Sequence, residues 1–456
     1  MSLLPRRTPL TSALLSRFRH PAQLIVGGFA AAITLGTVAL MLPAATTSGD
    51  SAGLLRALLT ATSAVCVTGL VTVNVDPHWS GFGEVVILAL IQAGGLGIMT
   101  LATLLAVLVS GRLGLRARLL AQAETKTLHG TDVRRVIRNI VLFSLVSEAV
   151  LALVLGLRFA LGYGEPPGRA AYLGIFHSIS SFNNAGFALW SDGMMRFVAD
   201  PWVSLPVAFA VILGGLGFPV VFELARAWRR PRTWSVLTRI TVGMSVVLLA
   251  GGTLLFTAVE WDNPRTLGPL SDQVKIMAGF FTAVMPRSGG LNVIDISQMR
   301  PESWLATDIL MFIGGGSAGT AGGIKVTTFG LLAFVMWAEL RGEDRVNVGH
   351  RRVAGPVQRQ ALTIALLGVG LVAAGTFLLM FITPHSLDRV LFEVISAFAT
   401  VGLTTGITPE LPAAGQVLII ILMFVGRVGP LTIFSALALR ERTRRYELPE
   451  ERPIVG

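Results

Sequence analysis

Four glycines, each followed by Leu or Phe, stand at similar spacing along the 456-residue chain: Gly69, Gly186, Gly290 and Gly402. The residues just before them are short and neutral: Val67-Thr68, Asn184-Ala185, Ser288-Gly289 and Thr400-Val401. A backbone that aims several successive carbonyls inward needs conformations that glycine adopts cheaply. A ring of such carbonyls replaces the hydration shell of a bare cation. None of the four segments carries Asp or Glu. That favours carbonyl coordination of a monovalent ion over carboxylate binding of a divalent one. The Thr68, Ser288 and Thr400 hydroxyls either add ligand oxygens or brace the loops. Asn183 and Asn184 read as braces for the second loop, and Cys66 as a packed small side chain.

The flanking columns repeat as well. Six residues before the glycine sits Ser63, Ser180 or Ser396, with Val284 as the exception. Ten residues before it sits Leu59, Phe176, Phe280 or Phe392. This agreement at four places predicts an internal repeat. Short semi-polar stretches near 54–65, 170–182, 271–285 and 387–398 precede the glycines. A helix of about 12 residues rises about 18 Å, too little for about 30 Å of hydrocarbon. These stretches therefore read as re-entrant pore helices, whose partly negative C-terminal ends face the pore centre.

The rest of the chain must hold them. It is 53% hydrophobic and only 14% charged, against about 25% charged in soluble domains. Continuously apolar runs, rather than alternating ones, exclude a β-barrel and predict helices. Eight full spans are expected near 24–43, 81–109, 136–161, 202–225, 236–257, 303–337, 358–382 and 413–438. The expected fold is an all-α polytopic membrane protein. It has four tandem helix–pore loop–helix repeats, with eight transmembrane helices and four pore helices around a pseudo-fourfold pore. The boundaries follow: a cytoplasmic N-terminus 1–23, repeat 1 over 24–110, and a basic loop with repeat 2 over 111–225. Repeat 3 covers 226–340, repeat 4 covers 341–440, and a cytoplasmic tail 441–456 ends the chain. The run from Leu24 to Leu42 is long for a signal peptide and reads as the first span.

The net charge is +11, from 37 basic and 26 acidic residues. Arginines cluster in alternate loops, among them Arg112, Arg116, Arg229, Arg230, Arg351 and Arg352, while acids such as Asp192, Asp262 and Glu410 occupy the others. This segregation argues against nucleic-acid binding and puts both termini and the basic loops in the cytoplasm. Those loops either dock an acidic partner or contact anionic membrane lipid. One cysteine excludes an intrachain disulfide.

The sixth span is broken by Gly314-Gly315-Gly316-Ser317-Ala318-Gly319-Thr320-Ala321-Gly322-Gly323-Ile324-Lys325. It lacks the Gly-Lys-[Ser/Thr] ending of a phosphate-binding loop, and it interrupts a membrane span. Irregular backbone at that depth is buried or lines a cavity. The segment is expected to be a gate under the filter, and Arg427 on the last span to hydrogen-bond its carbonyls when closed. The alternative for Arg427 is a structural pairing. Lys325 either joins the gate or snorkels to the interface. An Arg287–Glu393 ion pair is a further expectation.

Several stretches resemble the Trk/Ktr/HKT superfamily of potassium transporters. They are Ala61–Thr100, Met285–Leu291, Gly322–Thr328 and Phe392–Gly406; these motifs coincide in order, and the resemblance extends over nearly the whole chain. The likeness is greatest to the membrane subunits of bacterial Ktr systems, including the ending Pro-Glu-Glu-Arg-Pro-Ile-Val-Gly. The resemblance implies one filter glycine per repeat, at Gly69, Gly186, Gly290 and Gly402. It implies potassium uptake across the bacterial cytoplasmic membrane by a homodimer with one pore per subunit. It also implies a cytosolic KtrA-type ring that binds the nucleotide and controls the gate loop, with sodium often stimulating uptake. Ser288-Gly289 departs from the more usual Thr-Ala. The rival reading is a sodium- or proton-coupled secondary cation transporter, for which Glu84 and Glu223 form no obvious relay. An enzyme is not expected, because the six histidines are scattered.

Overall fold

Apolar chain in hydrocarbon must satisfy its own backbone polar groups, and helices do so within one segment. The computed structural model describes residues 21–111, 132–343 and 345–438, and these are mostly helical. The N-terminal segment, most of the 111–131 loop and the C-terminal tail lie outside the described residues. In chain order the main helices are α1 Pro21–Leu40, α2 Leu54–Val65, α3 Gly81–Gly111, α4 Asp132–Tyr163 and α5 Pro167–Phe182. Then come α6 Pro201–Leu216, α7 Phe218–Ala227, α8 Val236–Glu260, α9 Asp272–Val284 and α10 Pro301–Ile313. The last are α11 Val326–Leu340, α12 Gly355–Ile382, α13 Leu387–Phe398 and α14 Ala413–Ala438. A two-residue hairpin, Asn347–Val348 with Arg351–Arg352, sits between α11 and α12.

Among the described residues four helices are long and apolar enough to cross a membrane, lying within α3, α4, α8 and α12, and the bent pair α6–α7 makes up to five. Shorter apolar helices lie within α1, α2, α11 and α14. The helix starts carry recognisable signals. Proline stands in the first turn of α5, α6, α10 and α12, where its missing N–H costs nothing. Asp272 and Asp388 sit in the first turns of α9 and α13, complementing the positive end of the helix dipole.

One expected span is not straight. The stretch near 202–225 bends by 102° between α6 and α7. Gly217 makes the bend at φ 91°, and a Cβ there would lie 2.2 Å from the Ser317 carbonyl oxygen. The glycine-rich segment docks on this corner, and Phe218 N donates to Ala318 O at 3.4 Å. The span near 303–337 is two helices, α10 and α11, separated by that same segment.

The helices pack as a closed circuit. α2 packs on α1 and α3; α5 on α4 and α6; α9 on α8; and α13 on α10, α12 and α14. α3 meets α4 and α5, α6 meets α9, and α14 returns to α1 and α2. Glycines on the longer helices make this possible. A Cβ at Gly94 would lie 2.0 Å from Val65 O, one at Gly214 would lie 2.0 Å from Phe182 O, and one at Gly426 would lie 1.8 Å from Phe398 O. Each glycine thus seats the C-terminal end of a short helix directly against a longer one.

A candidate cation pathway

The short helices α2, α5, α9 and α13 end in residues that are all still right-handed: Cys66, Asn183, Met285 and Ala399. Beyond them the backbone alternates. Val67, Asn184, Ser288 and Thr400 have positive φ (48° to 80°), and so do the glycines two positions later, at 68° to 97°. The intervening Thr68, Ala185, Gly289 and Val401 do not. Such alternation turns successive peptide planes the same way, so the carbonyls share one side. At non-glycine positions it is strained, and the surroundings hold it.

Hydrogen bonds tie the N–H groups back to the short helices. Thr68 N, Ala185 N and Val401 N donate to the carbonyls of Ser63, Ser180 and Ser396 at 2.7 to 2.9 Å. Gly69 N and Gly402 N donate to the Ser63 and Ser396 hydroxyls at 2.9 and 3.1 Å. In the second loop the Ser180 hydroxyl instead donates to Phe187 O at 2.7 Å. The third loop has Val284 in the serine column, and its Gly289 and Gly290 N–H groups reach Met285 O at 2.7 and 3.3 Å.

The four glycines meet in order around a ring. A Cβ on Gly69 would lie 2.6 Å from Ala185 O, and one on Gly186 would lie 3.0 Å from the Gly290 Cα. One on Gly290 would lie 2.3 Å from Val401 O, and one on Gly402 would lie 2.1 Å from Thr68 O. The circuit therefore closes from the fourth loop back to the first. The Thr68 and Thr400 hydroxyls are buried without a protein partner. The Ser288 hydroxyl is engaged instead: it donates to Thr400 O at 2.8 Å and accepts from Gly322 N at 3.0 Å. Asn183 donates to Gln92 Oε1, Glu148 Oε1 and Ile179 O. Oriented to satisfy both its amide atoms, Asn184 donates to Ser181 O and Val211 O at 3.2 Å.

The glycine-rich segment lies against this ring. Gly314, Ala318 and Gly323 have positive φ. Gly316 N donates to Gly215 O at 2.7 Å, and Val326 N to Gly315 O at 2.8 Å. A Cβ on Gly322 would lie 1.9 Å from the Thr400 hydroxyl, and one on Gly319 would lie 2.8 Å from Gly214 O. Thr320 touches two opposite sides of the circuit. Its N–H donates to Gly214 O at 3.1 Å and its hydroxyl to Phe182 O at 3.4 Å. Its carbonyl accepts from Arg427 Nη1 at 2.5 Å. Thr320 thus joins α6 and, through the Arg427 side chain, α14. Lys325 Nζ donates to Ala321 O at 2.5 Å.

The expected Arg287–Glu393 pair does not form. Arg287 donates to Gly314 O at 3.3 Å and to the Ser245 hydroxyl at 3.1 Å. Glu393 accepts from Thr408 and, at 2.8 Å, from Thr404. Each charge finds neutral partners on the chain that follows its own loop or packs beside it, which fixes the loop without any cross-loop bridge. Sequence reasoning passes over Gln92, Glu148 and Ser245. A lone carboxylate inside the apolar run 136–161 was the one signal available for Glu148.

Comparison with known proteins converges with this geometry. Residues 10–443 match the family model described as TrkH, cation transport protein. The chain belongs to the TrkH family. Relatives of this TrkH-family chain include the Ktr system potassium uptake protein B of Bacillus subtilis, 40% identical, with 93% of this chain and 95% of that protein covered. The protein of the same description from Vibrio alginolyticus is 39% identical, over 95% and 94% of the two chains. The potassium/sodium uptake protein NtpJ of Enterococcus hirae is 34% identical, over 96% and 97%. The crystal structure of the potassium transporter TrkH from Vibrio parahaemolyticus superposes with a TM-score of 0.70 at 18% identity, covering 92% of this chain and 84% of that one. That likeness establishes the TrkH fold for the chain, a multi-pass helical membrane protein, and its named relatives are transporters rather than enzymes.

Proposed function

We propose that this chain is the pore-forming membrane subunit of a bacterial potassium uptake system. Its eight spans form four tandem repeats, each with a re-entrant pore helix, around a pseudo-fourfold axis in the cytoplasmic membrane. The observation that carries this reading is the closed ring of Gly69, Gly186, Gly290 and Gly402, with backbone carbonyls abutting each neighbour. A carbonyl ring suits a monovalent cation, because it replaces hydration without adding formal charge. The residues offered as ligands are Val67, Thr68, Gly69, Asn184, Ala185, Gly186, Ser288, Gly289, Gly290, Thr400, Val401 and Gly402. Potassium as cargo is supported by the Bacillus and Vibrio relatives, which are potassium uptake proteins, and sodium as a second ion by the potassium/sodium uptake protein of Enterococcus hirae.

In this reading Gly314–Gly323 form a gate, closed in this conformation and held by Arg427 on Thr320 and Lys325 on Ala321. A cytosolic nucleotide-binding ring of the KtrA type acts on it, and the pore works as a homodimer. That the Bacillus and Vibrio relatives are components of a Ktr system supports a regulatory partner. The test is flux of potassium, rubidium and sodium into proteoliposomes containing the purified chain. Potassium and rubidium should enter in preference to sodium, driven by their own gradients. Equal permeation of sodium, or a strict need for a proton or sodium gradient, would count for the coupled-transporter reading instead.

A further inference from the structure

Glu148 lies midway along α4 and is 5% exposed. Its carboxylate accepts from Gln92 Nε2 at 3.1 and 3.2 Å, one contact to each oxygen, and from Asn183 Nδ2 at 3.0 Å. The Ser178 hydroxyl donates to its backbone carbonyl at 2.5 Å. Both carboxylate oxygens accept from amide N–H donors, an arrangement that can satisfy an ionised group. Among the described residues no lysine or arginine forms an ion pair with it. A buried charge without a counter-ion is costly inside a membrane protein. The side chains around it are neutral amides, which orient it without neutralising it.

The position of this cluster is informative. Asn183 caps α5 and stands directly before Asn184-Ala185-Gly186. Gln92 comes from α3, the helix that seats the end of α2 at Gly94, so the cluster also ties the second loop to the packing helix of the first. Gly95 leaves the room for it: a Cβ there would lie 1.9 Å from the Asn183 side-chain oxygen, an oxygen that has no protein partner. Two residues of chain and one hydrogen-bonded side chain separate the carboxylate from the Ala185 carbonyl, roughly 10–15 Å.

We propose that Glu148 is a fixed negative charge behind the second loop and that the permeating cation is its counter-ion. This rests on reading the four loops as a cation filter. The charge strengthens cation occupancy through space, while Gln92 and Asn183 hold it in place. At this separation and an intermediate dielectric the attraction corresponds to about a three- to tenfold change in cation affinity. Being electrostatic, it acts equally on ions of one charge.

The test is concentration-dependent potassium and rubidium uptake into proteoliposomes containing the full chain. Glu148→Gln, which keeps the size and loses the charge, should raise the KM for both ions about three- to tenfold and leave their ratio unaltered. Glu148→Asp, which keeps the charge, should return KM close to wild type. An unshifted KM in Glu148→Gln overturns the proposal, as does a KM for Glu148→Asp as high as that of Glu148→Gln. If Glu148→Gln does not give a monodisperse protein, Gln92→Lys puts an ammonium beside the intact carboxylate. The same KM rise is then expected, and its absence is equally decisive. A wild type that carries no potassium overturns the filter reading itself, whereas a conducting wild type with an unshifted variant overturns this proposal alone.

Discussion

At Gly402 the backbone is left-handed, with φ 97°, and a Cβ would sit 2.1 Å from Thr68 O. Gly402→Ala therefore meets both conformational strain of about 1–2 kcal/mol and a backbone collision that neither partner can relieve alone. Potassium-over-sodium selectivity in proteoliposomes should fall at least about tenfold, the equivalent of about 1.4 kcal/mol between the two ions. Retention of full selectivity would remove Gly402 from the proposed ligand ring. Ser288 makes a different point. Its single hydroxyl joins the third loop to Thr400 O and to Gly322 N. Ser288→Ala leaves a buried N–H and a buried carbonyl short of a partner, at about 1–3 kcal/mol. The expected outcome is a lower thermal midpoint in detergent together with higher potassium leak. A stable, tight Ser288→Ala variant would show that the loop and the segment are held by other contacts.

Among the elements, the proposed gate is the interrupted span. Arg427 contributes one bond to Thr320 O from the opposite helix, so Arg427→Gln should loosen the segment while leaving α14 helical. Uptake by the chain without any regulatory partner should rise about threefold or more, as loss of a charged hydrogen bond of about 1.5–3 kcal/mol allows. Unchanged uptake in a folded variant would leave Arg427 as a structural pairing only. Gly217 belongs to the same element, because the 102° bend between α6 and α7 receives the segment. Gly214-Gly215-Leu216-Gly217 is a small-residue cluster of the kind that lets membrane helices pack closely. Packing accounts for Gly214, which rests on Phe182 O, but not for Gly217, whose role is set by the Ser317 carbonyl about a hundred residues later. No local pattern announces a partner so distant.

Across the whole molecule, stability depends on the circuit closing, since α14 packs on α1 and α2. The glycines that seat the short helices are the joints of that circuit. Gly94→Leu or Gly426→Leu should cost more than the about 1–3 kcal/mol typical of overpacking, because the collision is with backbone. Solubilised protein should elute as aggregate in size-exclusion chromatography, whereas Gly27→Leu, whose Cβ meets nothing within 4 Å, should elute normally. Normal elution of both joint variants would mean that the circuit tolerates wider spacing.

The sequence by itself determined the helical membrane class, the short helices near 54–65 and 387–398, and the four places where glycine turns the backbone left-handed. Those features rest on local quantities: run length, residue polarity and the ease with which glycine turns. It also placed the break in the sixth span, since a run of glycines among apolar residues has no helical reading. Tertiary structure alone decided that the four loops meet in order, that the fourth expected span bends at Gly217, and that Arg287 and Glu393 bind neutral groups instead of each other. It alone brought Glu148, Gln92 and Asn183 together from three helices. The physical reason is range: a turn is fixed by its own few residues, whereas a counter-ion or a packing partner is fixed by whatever the fold carries alongside it.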